Sequence, residues 1–454
     1  MVSAARSAEK RGGKALGSML RAVRQTPLTA MLSPVLSPDT MKHTFVQRSL
    51  IAAALPLLIQ TAFSASWQNI DDYQLVLGKN AFARGLAQDP LGNLFAAGAG
   101  VDSAGTYHGL VMKSSNHGDT WAAADDFANP TTTINLGPDH GAGICADSAG
   151  RLYAAGSDFL ASNQKNWYVR RSLDGGATWA TVDSFTLGGT EAYPRSLETD
   201  LAGNVYVTGT ASTSGTSLTN FAIVRKGITD AAGVMTWRTV DQVSGTFRLD
   251  ITGLGNLPLI YGNGLLTCHP SAGVFIAGRR IVVDKTGSYV NQWAVRRSVD
   301  GGLTWANVDA YQLDPSQDAT AVGMGRDSFG NLYAVGAAEI RSKGKNLTHW
   351  IVRKSSNGGA TWTTVDDYLP ASGNSAAYRF AADPAGNLFV TGAGDITRKS
   401  AGGVGPWATI ATAPPGPAFY PSSLMSDAAA GVFSMGYYND AAGSRHWIIR
   451  KLIP

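Results

Sequence analysis

One unit recurs seven times along this chain of 454 residues, and this repeat constrains the fold more than any other feature of the sequence. Equivalent tryptophans mark the units at intervals of 45 to 68 residues: Trp67, Trp121, Trp179, Trp237, Trp305, Trp362 and Trp407. Each unit contains four short runs of apolar and aromatic residues separated by Gly, Asp, Asn and Ser, a pattern that predicts strands joined by tight turns. A repeat of about this length with four strands is typical of a β-propeller blade.

The last unit indicates how the ring closes. Its first three strands are predicted at 422–427, 431–436 and 446–451, with no fourth strand after them. The segment 66–75, SWQNIDDYQL, has the Trp-x-x-(Ile/Val)-Asp pattern of the other fourth strands. We therefore predict an all-β fold over 66–454, a seven-bladed β-propeller of four-stranded blades. The N-terminal strand is expected to complete the last blade, which leaves no sheet edge open.

The N-terminal region predicts export. Lys42 and Arg48 precede a short apolar stretch at 50–58, and small residues follow. This order is typical of a bacterial secretory signal peptide, which we place at 41–65. Residues 1–40 are predicted to be a disordered leader or a misassigned gene start. A secreted or periplasmic protein is expected.

The positive charge of the chain belongs to the same region. Residues 1–65 contain eight Lys or Arg and two Asp or Glu, a net +6 against a chain total of +4, so residues 66–454 carry −2. A near-neutral exported chain gives no electrostatic reason to expect a nucleic acid partner. No apolar run of 18 or more residues is present, so we expect no membrane span in the mature chain. A monomer is expected.

Four of the turns between the third and fourth strands share one motif: SSNHGDTW at 114–121, SLDGGATW at 172–179, SVDGGLTW at 298–305 and SSNGGATW at 355–362. The motif resembles the Asp box, also called the bacterial neuraminidase repeat. The chain is thus similar to the sialidase-like Asp-box β-propeller superfamily, which includes sialidases, sortilin-type receptors and a photosystem assembly factor. In the enzymes of this group the Asp boxes lie on the face opposite the active site, so the resemblance implies a site on that opposite face.

Residues that repeat in every unit are interpreted as architectural. The eleven tryptophans fall on two repeated strand positions and are predicted to pack between blades. An aspartate recurs four residues after the fourth-strand tryptophan and is interpreted as structural: Asp71, Asp125, Asp183, Asp241, Asp309 and Asp366. Basic pairs recur on the third strand and are interpreted as solvated or blade-edge charges: Arg170-Arg171, Arg225-Lys226, Arg296-Arg297, Arg353-Lys354 and Arg450-Lys451.

Residues that break the repeat are the functional candidates. Arg84, Arg195 and Arg379 lie four or five residues before the aspartate that ends the first strand of their units, and we predict that they point toward the central funnel. Three arginines there would hold a carboxylate with paired hydrogen bonds, as the arginine triad of sialidases does. His140 and Tyr378 lie nearby in the repeat and complete the predicted ligand-binding set.

The resemblance to sialidases also implies a catalytic set. Retaining chemistry of that kind uses a tyrosine nucleophile, a neighbouring glutamate as its base and an aspartic acid. The matching residues here are Tyr193, Glu191 or Glu198, and Asp139. The chain departs from that pattern in having seven predicted blades instead of six, and in having few glutamates.

Two functions remain open. The preferred one is a secreted propeller that binds an extracellular glycan or protein on the face opposite the Asp boxes. The alternative is a sialidase-like exo-glycosidase acting on a terminal acidic sugar, or a uronate-specific polysaccharide lyase with His140 or Tyr193 as base. The sequence has two Cys and no metal-binding motif, and we predict no cofactor and no metal.

Overall fold

The computed structural model describes residues 65–128, 143–159, 165–188, 191–213, 220–244, 247–248, 265–371, 373–403, 405–413, 416–429 and 431–454. They form one compact unit of almost entirely β structure. Within these ranges no helix has the length and apolar character needed to cross a bilayer.

The strands group into seven antiparallel sheets. Strand β1 (Ser66–Tyr73) precedes the first complete blade. Blade 1 contains β2 (Ala81–Gln88), β3 (Leu94–Val101), β4 (Tyr107–Ser114) and β5 (Ala122–Phe127). Blade 2 contains β6 (Gly143–Ala146), β7 (Leu152–Phe159), β8 (Lys165–Ser172) and β9 (Ala180–Phe185). Blade 3 contains β10 (Ala192–Thr199), β11 (Val205–Ser212), β12 (Asn220–Thr229) and β13 (Met235–Ser244).

The other four blades follow in the same order. Blade 4 contains β14 (Phe247–Arg248), β15 (Leu266–His269), β16 (Gly273–Val283), β17 (Tyr289–Ser298) and β18 (Ala306–Tyr311). Blade 5 contains β19 (Ala319–Arg326), β20 (Leu332–Ser342), β21 (Lys345–Ser355) and β22 (Thr363–Tyr368). Blade 6 contains β23 (Ala377–Ala382), β24 (Leu388–Gly392), β25 (Thr397–Ser400) and β26 (Trp407–Ala411), with short 3-10 helices at Ala393–Asp395 and Ala401–Gly403. Blade 7 contains β27 (Tyr420–Asp427), β28 (Gly431–Asn439) and β29 (Arg445–Ile453).

Strand β1 completes blade 7. The sheet order is β1-β29-β28-β27, and β1 pairs with β29 from Ser66 opposite Ile453 to Tyr73 opposite Trp447. The indole N–H of Trp67 donates to the hydroxyl of Thr397 in blade 6 at 2.9 Å, which ties the closing strand to the neighbouring blade. The predicted seven-bladed propeller, closed by its N-terminal strand, is confirmed.

We name the strands of a blade a, b, c and d in chain order. Because consecutive strands are antiparallel, the a–b and c–d turns lie at one end of the propeller, and the b–c and d–a connections lie at the other. We call these ends the c–d face and the d–a face. The core consists of apolar clusters between adjacent blades, with buried tryptophans on strand c, including Trp167, Trp293 and Trp447.

The carboxylates in the c–d turns are used by the turns themselves. Asp174 accepts the backbone N–H of Thr178 at 2.9 Å and its hydroxyl at 2.6 Å, and these bonds lower the pKa of Asp174 to about 2. The backbone at Gly175 and Gly176 has φ of 67° and 92°, which glycine adopts without strain. The motif in these turns therefore has an architectural role.

A buried arginine on strand c ties most blades to the preceding one. Arg225 of blade 3 donates through Nε and Nη2 to both carboxylate oxygens of Asp183 of blade 2, each at 2.7 Å. The equivalent pairs in the described chain are Arg170–Asp125, Arg296–Asp241, Arg353–Asp309, Arg398–Asp366 and, with an acid from a 3-10 helix, Arg450–Asp395. Five of the six repeated aspartates thus link blades, which agrees with their interpretation as structural; Asp71 has no such arginine among the described residues. The interpretation of the basic pairs as solvated or blade-edge charges is wrong for their first members, which are mostly buried.

The next residue of strand c reaches the following blade in several cases. Lys113 of blade 1 donates from Nζ to the carbonyl of Gly175 in the c–d turn of blade 2 at 2.8 Å, and Lys354 of blade 5 donates to the carbonyl of Gly403 of blade 6 at 3.2 Å. Strand c of blade 5 therefore has polar contacts with both neighbouring blades. Many of the basic residues on strand c are therefore used in contacts between blades.

Candidate functional site

The candidate arginines lie at a bulge in strand a. Arg84 in β2 and Arg195 in β10 have no partner in the ladder with strand b, because the register shifts at these residues. In β23 the residue at this bulge is Tyr378, and Arg379 follows it. Tyr378, and not Arg379, is therefore the structural equivalent of Arg84 and Arg195. Arg379 lies four residues before Asp383 and Tyr378 lies five residues before it, so Arg379 is one position too far along the strand.

Arg379 holds the backbones of three blades together. Its Nε donates to the carbonyl of Ser422 in blade 7 at 2.6 Å, and Nη1 donates to Val322 of blade 5 at 3.2 Å and to Tyr378 at 2.8 Å. Burial, together with the charge of Arg84, lowers the pKa of Arg379 to about 10. Most of this guanidinium is thus used by carbonyl oxygens at the bulges.

Arg84 lies in a separate cavity. It lines a space of about 40 Å³ between blades 1 and 2, together with Tyr168 and Arg170. Its Nη1 donates to the carbonyl of Ala83 at 3.3 Å, and its Cζ lies 5.8 Å from the centre of the Phe82 ring. The charge of Arg84 contributes to lowering the pKa of Arg379, which lies on the other side of blade 7 in the ring.

A larger cavity of about 590 Å³ occupies the centre of the ring. It is lined by the second halves of the a strands, including Glu198, Arg326 and Arg379, so it extends toward the c–d face. Leu197, Phe380 and other apolar side chains form much of its wall. This volume lies within the range of small-molecule sites.

Glu198 is one of three acidic residues in the described lining of this central cavity. Burial raises the pKa of Glu198 to about 7, while the charge of Arg326 and hydrogen bonds from Cys268 and Thr267 oppose that rise. The side chain of Glu198 is half-buried and lines this cavity. Glu198 thus lies in the half of β10 nearer the c–d face, and Tyr193 lies in the other half.

The predicted Tyr193–Glu191 pair is present at the d–a face. The hydroxyl of Tyr193 donates to Oε2 of Glu191 at 2.5 Å, and the ammonium of Lys165 lies 4.7 Å from the centre of the Tyr193 ring. Arg195 is on the same strand, two residues further. The structure therefore brings a phenol, a carboxylate and an ammonium together on blades 2 and 3.

Two predicted residues lie outside the described ranges, Asp139 and His140. Tyr378 is buried, its hydroxyl has no hydrogen-bond partner among the described residues, and burial raises its pKa. Within the described ranges no cluster of three or more His, Cys, Asp or Glu is suited to holding a metal ion.

A row of stacked side chains crosses the d–a face from blade 7 to blade 1. It consists of Tyr420, Tyr437, Arg445, Phe82 and Tyr107, and we call it the Tyr–Arg ladder. The rings of Tyr420 and Tyr437 stack at 5.1 Å, and those of Phe82 and Tyr107 at 6.0 Å. The guanidinium of Arg445 lies between these pairs, 4.2 Å from Tyr437 and 4.9 Å from Phe82.

The Tyr–Arg ladder adjoins the predicted ligand-binding residues. Arg84 contacts the Phe82 ring, and Tyr420 raises the pKa of Tyr378 by its charge. The sequence pattern gives no sign that Arg445, Phe82 and Tyr107 stack, because their stacking depends on contact between blades 7 and 1, which are far apart in sequence.

No protein-family model and no curated protein sequence matches the chain. An α-L-arabinofuranosidase of Fusarium graminearum, solved with an iminosugar inhibitor, is similar in structure at 12% identity, with 85% of this chain and 97% of that chain covered and a TM-score of 0.49. YCF48 bound to D1 peptide is 13% identical, with 86% and 97% covered and a TM-score of 0.48. The Hadza microbial sialidase Hz136 is 12% identical, with 82% and 66% covered and a TM-score of 0.41. Similarity this weak assigns no residue role in this chain.

Proposed function

We propose that the protein is a secreted binding propeller that recognises an extracellular glycan on its d–a face. The Tyr–Arg ladder is the observation that carries this proposal. Four of its five members are partly exposed at this end of the ring, while Phe82 is buried beneath them. Secretion follows from the signal peptide predicted at 41–65.

The ladder suits a polar ligand with apolar C–H faces. Tyrosines give large contact areas with few rotatable bonds, so ordering them on binding costs little entropy. Stacking against Arg445 fixes the rings further, since a guanidinium is attracted to aromatic faces. The hydroxyls of Tyr107, Tyr420 and Tyr437 then present hydrogen-bonding groups at the rim of a rigid apolar surface.

Binding to a glycan array tests the proposal. We expect the chain from residue 65 to bind a defined set of glycans without releasing a product. Replacing Tyr437→Ala should weaken binding roughly tenfold or more, because truncating an aromatic anchor usually costs above 1 kcal/mol.

Tyr289→Ala is the matched control. Tyr289 is 81% exposed at the start of β17, on the same face but away from the ladder. The control should keep its affinity, and thermal unfolding should show that both variants are folded. Equal affinity in wild type and Tyr437→Ala, or the absence of any bound glycan, would contradict the proposal. Binding of an extracellular protein and of no glycan would contradict the proposal of a glycan ligand.

A second candidate function is sialidase-like hydrolysis, favoured by the Tyr193–Glu191 hydrogen bond of 2.5 Å. A carboxylate in this place would remove the phenolic proton as the tyrosine attacks. The bonds of Arg379 to three carbonyls weigh against its use in a carboxylate-binding triad.

A fluorogenic sialoside separates the two functions. If the hydrolase is correct, Tyr193→Phe should lower kcat at least 100-fold, because it removes only the reacting hydroxyl. Tyr289→Phe should leave kcat unchanged. The absence of turnover by the wild-type chain removes this candidate.

A further inference from the structure

The central cavity is separate from the surface that carries the proposed function. Its described lining comes from the ends of the a strands near the c–d face, while the Tyr–Arg ladder lies at the d–a face. Binding of a ligand in the central cavity therefore does not depend on binding at the Tyr–Arg ladder. The described lining of the cavity combines apolar side chains with polar and charged groups that can fix the orientation of a small molecule.

Arg326 is the most available charged group in this cavity. It is the last residue of β19, it is exposed, and no hydrogen bond from its guanidinium to another described residue is found. Arg379 lies in the same cavity but is held by carbonyl oxygens. A guanidinium offers two parallel N–H groups that match the geometry of a carboxylate.

The acids that line the cavity differ in whether they are available to the charge of Arg326. Asp327 and Asp383 also line the cavity, but their oxygens accept N–H groups of their own a–b turns, from Asn331 and Asn387. Glu198 is the remaining acid of the described lining, and the charge of Arg326 favours its ionised form. The field in the cavity therefore depends on the protonation of Glu198.

From this arrangement we propose that the central cavity binds a small organic carboxylate with an apolar body, held by Arg326. Leu197, Met324 and Phe380 provide apolar surface for the body of such a ligand. Binding is expected to be tighter when Glu198 is neutral, because an ionised Glu198 repels the anion.

The other ionisable groups around Glu198 keep one charge state near neutral pH. Burial raises the pKa of the thiols of Cys145 on β6 and Cys268 on β15, and of the phenols of Tyr153 on β7 and Tyr206 on β11. These four groups stay neutral between pH 6 and pH 8, while Arg379 stays charged. Lys165 on β8 lies at the Tyr193 end of β10. With a pKa of about 7, Glu198 is thus the group of this set that titrates between pH 6 and 8.

Calorimetric titration with 4-phenylbutyrate, and with the neutral 4-phenylbutyramide as matched ligand, tests the proposal. We expect the acid to bind and the amide to bind at least tenfold more weakly. Between pH 6 and pH 8 the neutral fraction of Glu198 falls from about nine-tenths to about one-tenth, so affinity should fall about tenfold.

Three variants assign the effects to residues. Arg326→Gln should lose at least tenfold in affinity, and Arg341→Gln, an exposed arginine near the d–a end of β20, should lose none. Glu198→Gln should keep the pH 6 affinity and lose the pH dependence. The proposal is overturned if the acid does not bind, if acid and amide bind equally, or if Arg326→Gln binds like wild type. Glycan binding at the Tyr–Arg ladder should be unchanged in all three variants, so failure here leaves the proposed function standing.

Discussion

Asp71 occupies the place on strand d where the other blades carry the partner of a buried arginine. Blade 1, which should supply that arginine, has Met112 at the equivalent position of strand c. Asp71 Oδ2 is buried with no hydrogen-bond partner among the described residues. Burial raises the pKa of Asp71, and the charge of Asp72 raises it further. The junction between blades 7 and 1 therefore lacks the polar link found elsewhere in the described ring.

This difference predicts opposite effects of two equal substitutions. Asp71→Asn should raise the free energy of unfolding at pH 7 by up to about 1 kcal/mol, since it removes an unpaired buried charge. Asp183→Asn should lower it by about 3 to 5 kcal/mol, since it leaves Arg225 buried without its counterion.

The pH dependence follows from the sign of the shift. A raised pKa in the folded state means that ionised Asp71 destabilises the fold above that pKa. The advantage of Asp71→Asn should thus shrink as pH falls and Asp71 becomes protonated. Denaturant unfolding from pH 4 to pH 7 measures this. Equal losses of stability in both variants would show that Asp71 has a stabilising partner.

The residue scale also shows where sequence reasoning stops. The repeated aspartates were predictable as structural because every blade needs them. The burial of their arginine partners was not, because a basic residue on an isolated strand gives no sign of the neighbouring blade. The offset between Tyr378 and Arg379 is visible in the spacing, since Tyr378 lies five residues before its aspartate, as Arg84 and Arg195 do.

At the scale of elements, a glycine on strand b is fixed by the strands around it. A Cβ at Gly209 would lie 2.1 Å from the carbonyl oxygen of Tyr193 and 2.5 Å from the Trp167 ring of the preceding blade. The same contact recurs at Gly336 with Trp293 and at Gly392 with Trp350. The bulge of strand a and the strand-c tryptophan therefore both require a residue without a side chain.

Replacing this glycine should destabilise the interface between blades 2 and 3. We expect Gly209→Ala to lower the free energy of unfolding by about 1 to 3 kcal/mol, because backbone and indole must both shift. Gly405→Ala is the matched control, since its Cβ would lie 3.4 Å from the nearest atom. Thermal unfolding of both variants measures the difference, and a Gly209→Ala variant as stable as the control would contradict this packing.

At the scale of the whole molecule, stability depends on a single strand. Strand β1 covers the edge of β29 and buries Trp67 against blade 6. A chain that begins at residue 74 should aggregate or unfold well below the temperature of a chain that begins at residue 65, because the open edge and apolar surface are exposed.

Addition of a synthetic peptide of residues 65–73 tests this cause directly. The peptide should restore the unfolding temperature by pairing with β29, as an added strand does in β-augmentation. A peptide with Trp67→Ser should restore much less. If the shortened chain is as stable as the longer one, the ring does not depend on this closure.

The seven-fold architecture and its closure were predictable because the repeat period determines both. The central cavity was not, because its lining comes from one strand end in each of several blades. The Glu198 pKa likewise depends on Arg326, which is more than a hundred residues away in sequence. A repeat thus defines the scaffold from the sequence, while the groups that meet at its axis are apparent only in three dimensions.

Pairing of the first strand with the last makes the chain topologically circular. Ser66 lies opposite Ile453, so a short linker would join the two ends without crossing another strand. A circular permutant opened in the connection between β22 and β23 would then place blade 6 first and supply blade 5 last. Each blade would keep both neighbours, although the order of synthesis would change. The order in which the seven blades are encoded is thus separable from the structure that they form.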